Sequence, residues 1–134
     1  MPNAISHLQF NVRAANLPFY RDLLSHLGWT TIYDGAEMLG VGGKDGYSLW
    51  FSAGTAEHDN HYDGPGLNHL AIGAASPAEV DAAAKWLRER GISWLFETPR
   101  HRPDFAQSED HTYYQVMFES PDRILLEVVY VGQK

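Results

Sequence analysis

Leu67-Asn68-His69-Leu70-Ala71-Ile72-Gly73-Ala74 repeats, sixty-two residues on, the pattern of Ile5-Ser6-His7-Leu8-Gln9-Phe10-Asn11-Val12. In each stretch a histidine opens an alternating run. Leu8, Phe10 and Val12 share one face in the first, Leu70 and Ile72 in the second. Period-two patterning predicts a strand with one face on a core. The other face carries His7, Gln9 and Asn11, or His69, Ala71 and Gly73. Such a polar or small face should line a cavity, so Gln9 and Asn11 are candidate substrate contacts.

A helix is expected after each strand. The first starts at Asn16, a plausible N-cap, with Leu17, Phe19, Tyr20, Leu23, Leu24 and Leu27 as its apolar stripe, and stops at Gly28. The second opens with Ser76-Pro77-Ala78-Glu79, a capping box with proline at the first helical position, buries Val80, Ala83, Ala84 and Leu87, and ends at Gly91. Three strands follow in each half: Trp29–Asp34, Met38–Val41 and Tyr47–Ser52, then Ser93–Thr98, Thr112–Glu119 and Arg123–Val131. Gly35, Gly42-Gly43, Asp45-Gly46 and Pro121-Asp122 supply turns. The order strand, helix, three strands is therefore given twice. Ala56–Gly66, rich in His, Asp, Asn and Gly, reads as the linker, and Pro99–Asp110 as an irregular loop able to close over a site.

The chain's 134 residues suit one domain, with module one at about 4–55, the linker at 56–66 and module two at about 67–131. A 44% hydrophobic fraction is that of a folded globular protein. The formal charge of −7 argues against a nucleic-acid partner. No apolar run is long enough to span a membrane, and no secretory signal opens the chain, so a cytoplasmic location is expected. The absence of cysteine excludes disulfides, thiolate metal sites and a cysteine nucleophile.

The seven histidines invite a search for ligands. Glu127 stands in an otherwise apolar run, Ile124 to Val131. An ionised carboxylate there costs several kcal/mol unless it is paired or bound to a cation. A glutamate at a sheet edge, or one paired with Arg13 or Arg123, is the bland alternative. With His7 and His69 at equivalent repeat positions, the three form a ligand set for Fe(II) or Mn(II), with Zn(II) or Ni(II) as further options, and coordination is left open. His26, His58 and His61 read as surface residues. His101 and His111 flank the irregular loop and are candidate acids or bases, as is Tyr113. Tyr113, Gln115 and Met117 share one strand face, with Tyr114, Val116 and Phe118 on the other; which face looks inward stays open.

The chain resembles the vicinal oxygen chelate superfamily of glyoxalases, bleomycin-resistance proteins and extradiol dioxygenases. The resemblance is carried by His7–Val12 with Leu17–Gly28, by Gly66–Ile72, and by Tyr113–Asp122 leading to Leu126-Glu127-Val128. It implies an α+β fold of two βαβββ modules that curl into an open cup-like mixed sheet with helices outside. It also implies His7, His69 and Glu127 as metal ligands, a small-molecule substrate and a homodimer. Two departures follow from the same resemblance. The glyoxalase carboxylate position of the first module is Trp50, flanked by Ser48 and Ser52, which suits a substrate wall rather than a base. The dioxygenase tyrosine ahead of the proline turn falls on Met117, and the glycine after Pro121-Asp122 is Arg123. A metalloenzyme is expected, with dioxygenase chemistry favoured over lyase or isomerase. The alternative is a binding protein of the bleomycin-resistance type that uses the same cup without catalysis.

Overall fold

Each histidine-led run becomes a strand followed by a helix. The computed structural model describes residues 2–134. The order is β1 (His7–Asn11), α1 (Leu17–His26), β2 (Thr30–Asp34), β3 (Met38–Gly42) and β4 (Ser48–Ser52). It then repeats as β5 (Leu70–Gly73), α2 (Pro77–Glu89), β6 (Leu95–His101), β7 (His111–Glu119) and β8 (Leu125–Gln133). This is α+β architecture built of two βαβββ modules. The chain divides into two compact units, Met1–Asp59 and Asn60–Lys134, and the division falls within the segment read as a linker. No helix among the described residues is long and apolar enough to cross a membrane.

In the first unit the strand order is β1-β4-β3-β2, with β1 parallel to β4. Parallel pairing needs a crossover, which α1 supplies. Helix α1 buries Leu17, Tyr20, Leu23 and Leu24. Tyr20 stacks on Phe51 at 4.5 Å between centroids, and Phe51 stacks on Phe10 at 5.3 Å. Each such side chain contributes about 1.5–3 kcal/mol of burial. A short 3-10 turn, Ala14–Asn16, precedes α1, so Asn16 closes that turn in αR geometry rather than acting as an extended N-cap. The other face carries the registered pairs His7 and Ser48, Gln9 and Trp50, Asn11 and Ser52. The indole N–H of Trp50 donates to Ser48 Oγ at 3.0 Å. Its ring crosses Gly40, where an added Cβ would fall 2.4 Å from a ring carbon.

The second unit repeats the plan as β5-β8-β7-β6, with β5 parallel to β8. Helix α2 buries Val80, Ala83, Ala84, Trp86 and Leu87. Ser76 Oγ accepts from the Glu79 N–H at 3.3 Å, and Glu79 Oε2 accepts from the Ala75 N–H at 2.7 Å. The capping box thus forms, with its carboxylate one residue further back than the usual pattern. On β7, Tyr114 donates its hydroxyl to Asp81 of α2 at 2.5 Å. Tyr114, Val116 and Phe118 therefore face the helix, and Tyr113, Gln115 and Met117 face away.

Strand β6 departs from expectation. It runs Leu95–His101 rather than ending at Thr98, so the irregular stretch begins at Arg102 and includes a 3-10 turn at Pro103–Phe105. Leu95 pairs with Met117 and Arg100 with Gln115, which leaves a long bulge on β6. Phe96 and Glu97 sit at φ 56° and 60° there, and the Thr98–Pro99 peptide is cis. Thr98 Oγ1 donates to the Leu95 carbonyl at 2.7 Å and accepts from the Met117 N–H at 2.9 Å, standing in for a ladder bond. Proline is tolerated because β6 is an edge strand. Arg123 also has a left-handed φ of 60°, the conformation glycine adopts without strain.

Gly40→Ala forces the Trp50 ring to move and should destabilise the chain by about 1–3 kcal/mol in urea unfolding. The same change in a Trp50→Ala background should cost much less. An equal cost in both backgrounds would show that the ring does not require Gly40.

Candidate metal and substrate site in the second unit

Glu127 is 2% exposed on β8, with Leu126 and Val128 as chain neighbours. Its register partners are Met117 on β7 and Ala71 on β5. Its carboxylate accepts from the Tyr113 hydroxyl, at 2.7 Å for Oε2 and 3.2 Å for Oε1. His69, the residue before β5, brings Nε2 to 3.6 Å from Oε1. The bland reading of an arginine partner does not hold. Arg13 pairs with Glu57 and Asp59 instead, and among the described residues the polar side-chain partners of Glu127 are Tyr113 and His69.

The other nitrogen of His69 settles its tautomer. Nδ1 lies 2.7 Å from Asn68 Oδ1. The Asn68 amide is oriented because its Nδ2 donates to the Tyr62 backbone carbonyl at 3.2 Å, and a carbonyl can only accept. The atom facing His69 is therefore an oxygen, and Nδ1 must carry the proton. In the neutral ring Nε2 then presents a lone pair toward a carboxylate oxygen. Two acceptors facing each other at this range repel unless a cation or a proton lies between them. The separation is less than the sum of two metal–ligand bonds of about 2.1 Å each, so the pair fits one ion. Imidazole nitrogen with carboxylate oxygen is the donor chemistry of Fe(II), Mn(II) and Zn(II).

The pair opens onto a cavity of about 790 Å³. Tyr113, Gln115 and Met117 line it from β7, and Leu125 and Glu127 from β8. Phe96 and Glu97 reach it from the bulge, and Arg100, Arg102 and Phe105 from the segment that follows. Left-handed backbone at two non-glycine residues costs of order 1–3 kcal/mol each and gathers at functional sites. Here it turns Phe96 and Glu97 toward the cavity. Phe105 meets the edge of Tyr113 at 5.4 Å.

Of the expected site residues, the structure brings His69, Glu127, Tyr113 and Met117 together. His7, Gln9, Asn11 and Trp50 belong to the first unit, on its polar face. Among the described residues there is no group of three or more His, Asp or Glu side chains able to hold a metal, and the His69–Glu127 pair lies wholly within the second unit. His101 and His111 are not brought to the cavity. His101 pairs in register with Tyr114, bonds the Thr112 hydroxyl and so shares the helix-facing parity of β7. His111 stands at the far end of β7, with Nδ1 at 2.8 Å from Ser108 Oγ. Asn68, Tyr62, Gln115, Phe96 and Arg102 were not singled out from sequence. The segment read as a linker is also more than a spacer: the Tyr62 hydroxyl donates to Glu119 at 2.5 Å, and its carbonyl fixes Asn68.

Burial, then the hydrogen bond to Glu127, pushes the Tyr113 hydroxyl up to about 12. Burial and Asp81 push Tyr114 up to about 12. Folding favours the protonated phenol in both. Their contribution to stability is complete below pH 10 or so and is lost as pH rises through about 12. Absorbance titration at 295 nm should show both among the late tyrosines, and Tyr113→Phe should remove one equivalent from that group. An unchanged late amplitude in Tyr113→Phe would refute the bond to Glu127.

The sequence profile of the glyoxalase/bleomycin resistance protein/dioxygenase superfamily matches residues 4–128. A Bacillus halodurans protein assigned as a glyoxalase, known from its crystal structure, is 30% identical, with 94% of each chain covered and a TM-score of 0.76. FosX, a fosfomycin resistance protein of Listeria monocytogenes, is 18% identical over 97% of this chain and 91% of its own, with a TM-score of 0.68, a likeness of fold. The protein YqjT of Bacillus subtilis (strain 168) is 40% identical over 73 residues, 54% of this chain and 53% of that protein, so the match spans about half of that relative's length. By its profile match and its paired βαβββ modules, this chain belongs to the glyoxalase/bleomycin resistance protein/dioxygenase superfamily.

Proposed function

We propose that the chain is a metal-dependent enzyme acting on a small oxygen-bearing substrate in the second-unit cavity, with His69, Glu127 and His7 as ligands of one divalent ion. The observation that carries this reading is the His69 lone pair held against the buried Glu127 carboxylate. A purely structural histidine would be expected to donate to that carboxylate, whereas here its proton is committed to Asn68. Fe(II) or Mn(II) is the favoured ion, and the FosX structure, a relative in fold, contains Mn(II). When bound, the ion supplies Lewis acidity toward vicinal substrate oxygens.

The chain's own residues have separate tasks. Asn68 holds the Nδ1 proton and orients the ring. Tyr113 donates to Glu127 and, with its raised pKa, stays protonated at neutral pH, so it is a hydrogen-bond donor or acid rather than a base. Phe96, Phe105, Met117 and Leu125 exclude water and receive the apolar part of the substrate. Trp50, at the position of the glyoxalase carboxylate, cannot take a proton, which favours oxygenase chemistry over a lyase or isomerase. A binding protein without catalysis is the second reading; the aromatic and apolar lining favours it, while the oriented ligand pair does not.

Protein purified without an affinity metal and reconstituted with Mn(II) should hold close to one ion per chain by elemental analysis. His69→Ala and Glu127→Gln should bring this near zero, and Asn68→Ala should weaken binding by about ten- to a hundredfold. Equal metal content in wild type and His69→Ala would end the metalloenzyme reading. After anaerobic loading with Fe(II), oxygen uptake over a panel of catechols is expected; no uptake with any of them would favour lyase or isomerase chemistry.

A further inference from the structure

We infer that the substrate carries a carboxylate on an apolar body, with the carboxylate seated on Arg102. This rests on the reading above only for where the reacting end lies.

Arg102 is a half-buried cation to which none of the described residues gives a counter-charge. Its Nη1 donates to Gln115 Oε1 at 3.5 Å, and its guanidinium lies 5.1 Å from the centroid of the Phe105 ring. Both neighbours are neutral. Gln115 is 2% exposed, so its carbonyl is a fixed acceptor rather than a surface contact. The backbone is pinned as well, the Arg102 N–H donating to the Tyr113 carbonyl at 2.7 Å. Among the described residues no carboxylate pairs with Arg102. Asp63 lines the same cavity and makes no ion pair with it. Nearby and elsewhere the pattern is different: Arg100 pairs with Glu97 at 3.5 Å, Arg13 with Glu57 at 2.6 Å and Arg21 with Asp34 at 3.5 Å.

A chain with 17 acidic residues could readily have supplied such a partner. A guanidinium has five N–H donors in a planar fork that matches a carboxylate, and Gln115 occupies one of them. Withdrawing that cation from water without an anion is costly, and a ligand anion removes the cost on binding. Phe96, Phe105 and Met117 line the same cavity, which suits an apolar body next to the charged end. Glu127 disfavours a second anion close to it in the absence of metal, so the carboxylate belongs at Arg102 and the opposite end of the substrate at the His69–Glu127 pair.

The test compares 3-phenylpropionate with its neutral amide by calorimetry, in protein stripped with EDTA and in protein loaded with Mn(II). The carboxylate should bind at least about tenfold more tightly than the amide in both forms. That gap should collapse in Arg102→Met and Arg102→Gln and persist in Arg21→Met, a change outside the cavity lining. In wild-type protein the Arg102 Nε–H resonance should shift on titration with the carboxylate and not with the amide, a readout that needs no variant to fold. No gap in either form overturns the inference, as does a gap that survives both Arg102 variants. A gap seen only with Mn(II) and indifferent to Arg102 places the anion on the metal: the inference falls and the metal reading stands. A gap that depends on Arg102 in protein that takes up no Mn(II) does the reverse.

Discussion

The second unit is organised around one contact, the His69 imidazole set 3.6 Å from a buried carboxylate, which is repulsive while the ring is neutral. Neither group can relieve it by turning away. Glu127 is fixed by its place in a central strand with partners on both sides. His69 is fixed by Asn68, and Asn68 by a backbone carbonyl that accepts and never donates. A cation relieves the repulsion and also offsets the desolvation of the carboxylate. Tyr113 supplies a neutral donor to Glu127, and burial together with that hydrogen bond makes it a poor acid.

Strand parity carries this arrangement into the rest of the unit. Helix α2 takes one face of β7 and β8, with Val116, Phe118, Leu126 and Val128 buried on it. Every second residue is thereby committed to the opposite face, where Tyr113, Gln115, Met117, Leu125 and Glu127 line the cavity. The first unit follows the same logic. Its helix covers Phe10 and Phe51, which leaves His7, Gln9 and Asn11 beside Ser48, Trp50 and Ser52 on the uncovered face. The repeat extends to the residue before each histidine. Ser6 Oγ lies 3.1 Å from His7 Nδ1, much as Asn68 Oδ1 lies against His69 Nδ1. A polar residue ahead of each histidine was the available sign of a positioning partner.

Interruptions of this regularity build the cavity wall. The β6 bulge places Phe96 and Glu97 in left-handed backbone, and Thr98 repairs the ladder with its side chain. Beyond it, Arg102 is held between an aromatic ring and a buried amide. Pro99 marks a break in the sequence, but a proline alone does not separate the end of a strand from a bulge within one, because that depends on what the neighbouring strand pairs with. For the same reason Pro99–Asp110 read as a single loop, although its first three residues continue β6.

Local chemistry determined the elements: alternation set the strands, the Ser76-Pro77-Ala78-Glu79 cap and Gly91 set α2, and the two histidine-led runs set the duplication. The apolar run around Glu127 marked that carboxylate, because desolvation is a cost that can be read from neighbours in the chain. Tertiary structure alone decided which tyrosine faces the cavity, that Asn68 fixes the His69 tautomer, and that Arg102 has no counter-ion among the described residues while His101 and His111 stand outside the lining. Each of these depends on register between strands or on a hydrogen bond between residues distant in sequence. A one-residue change of register turns every side chain of a strand to the other face, and no local pattern in β7 distinguishes the two outcomes.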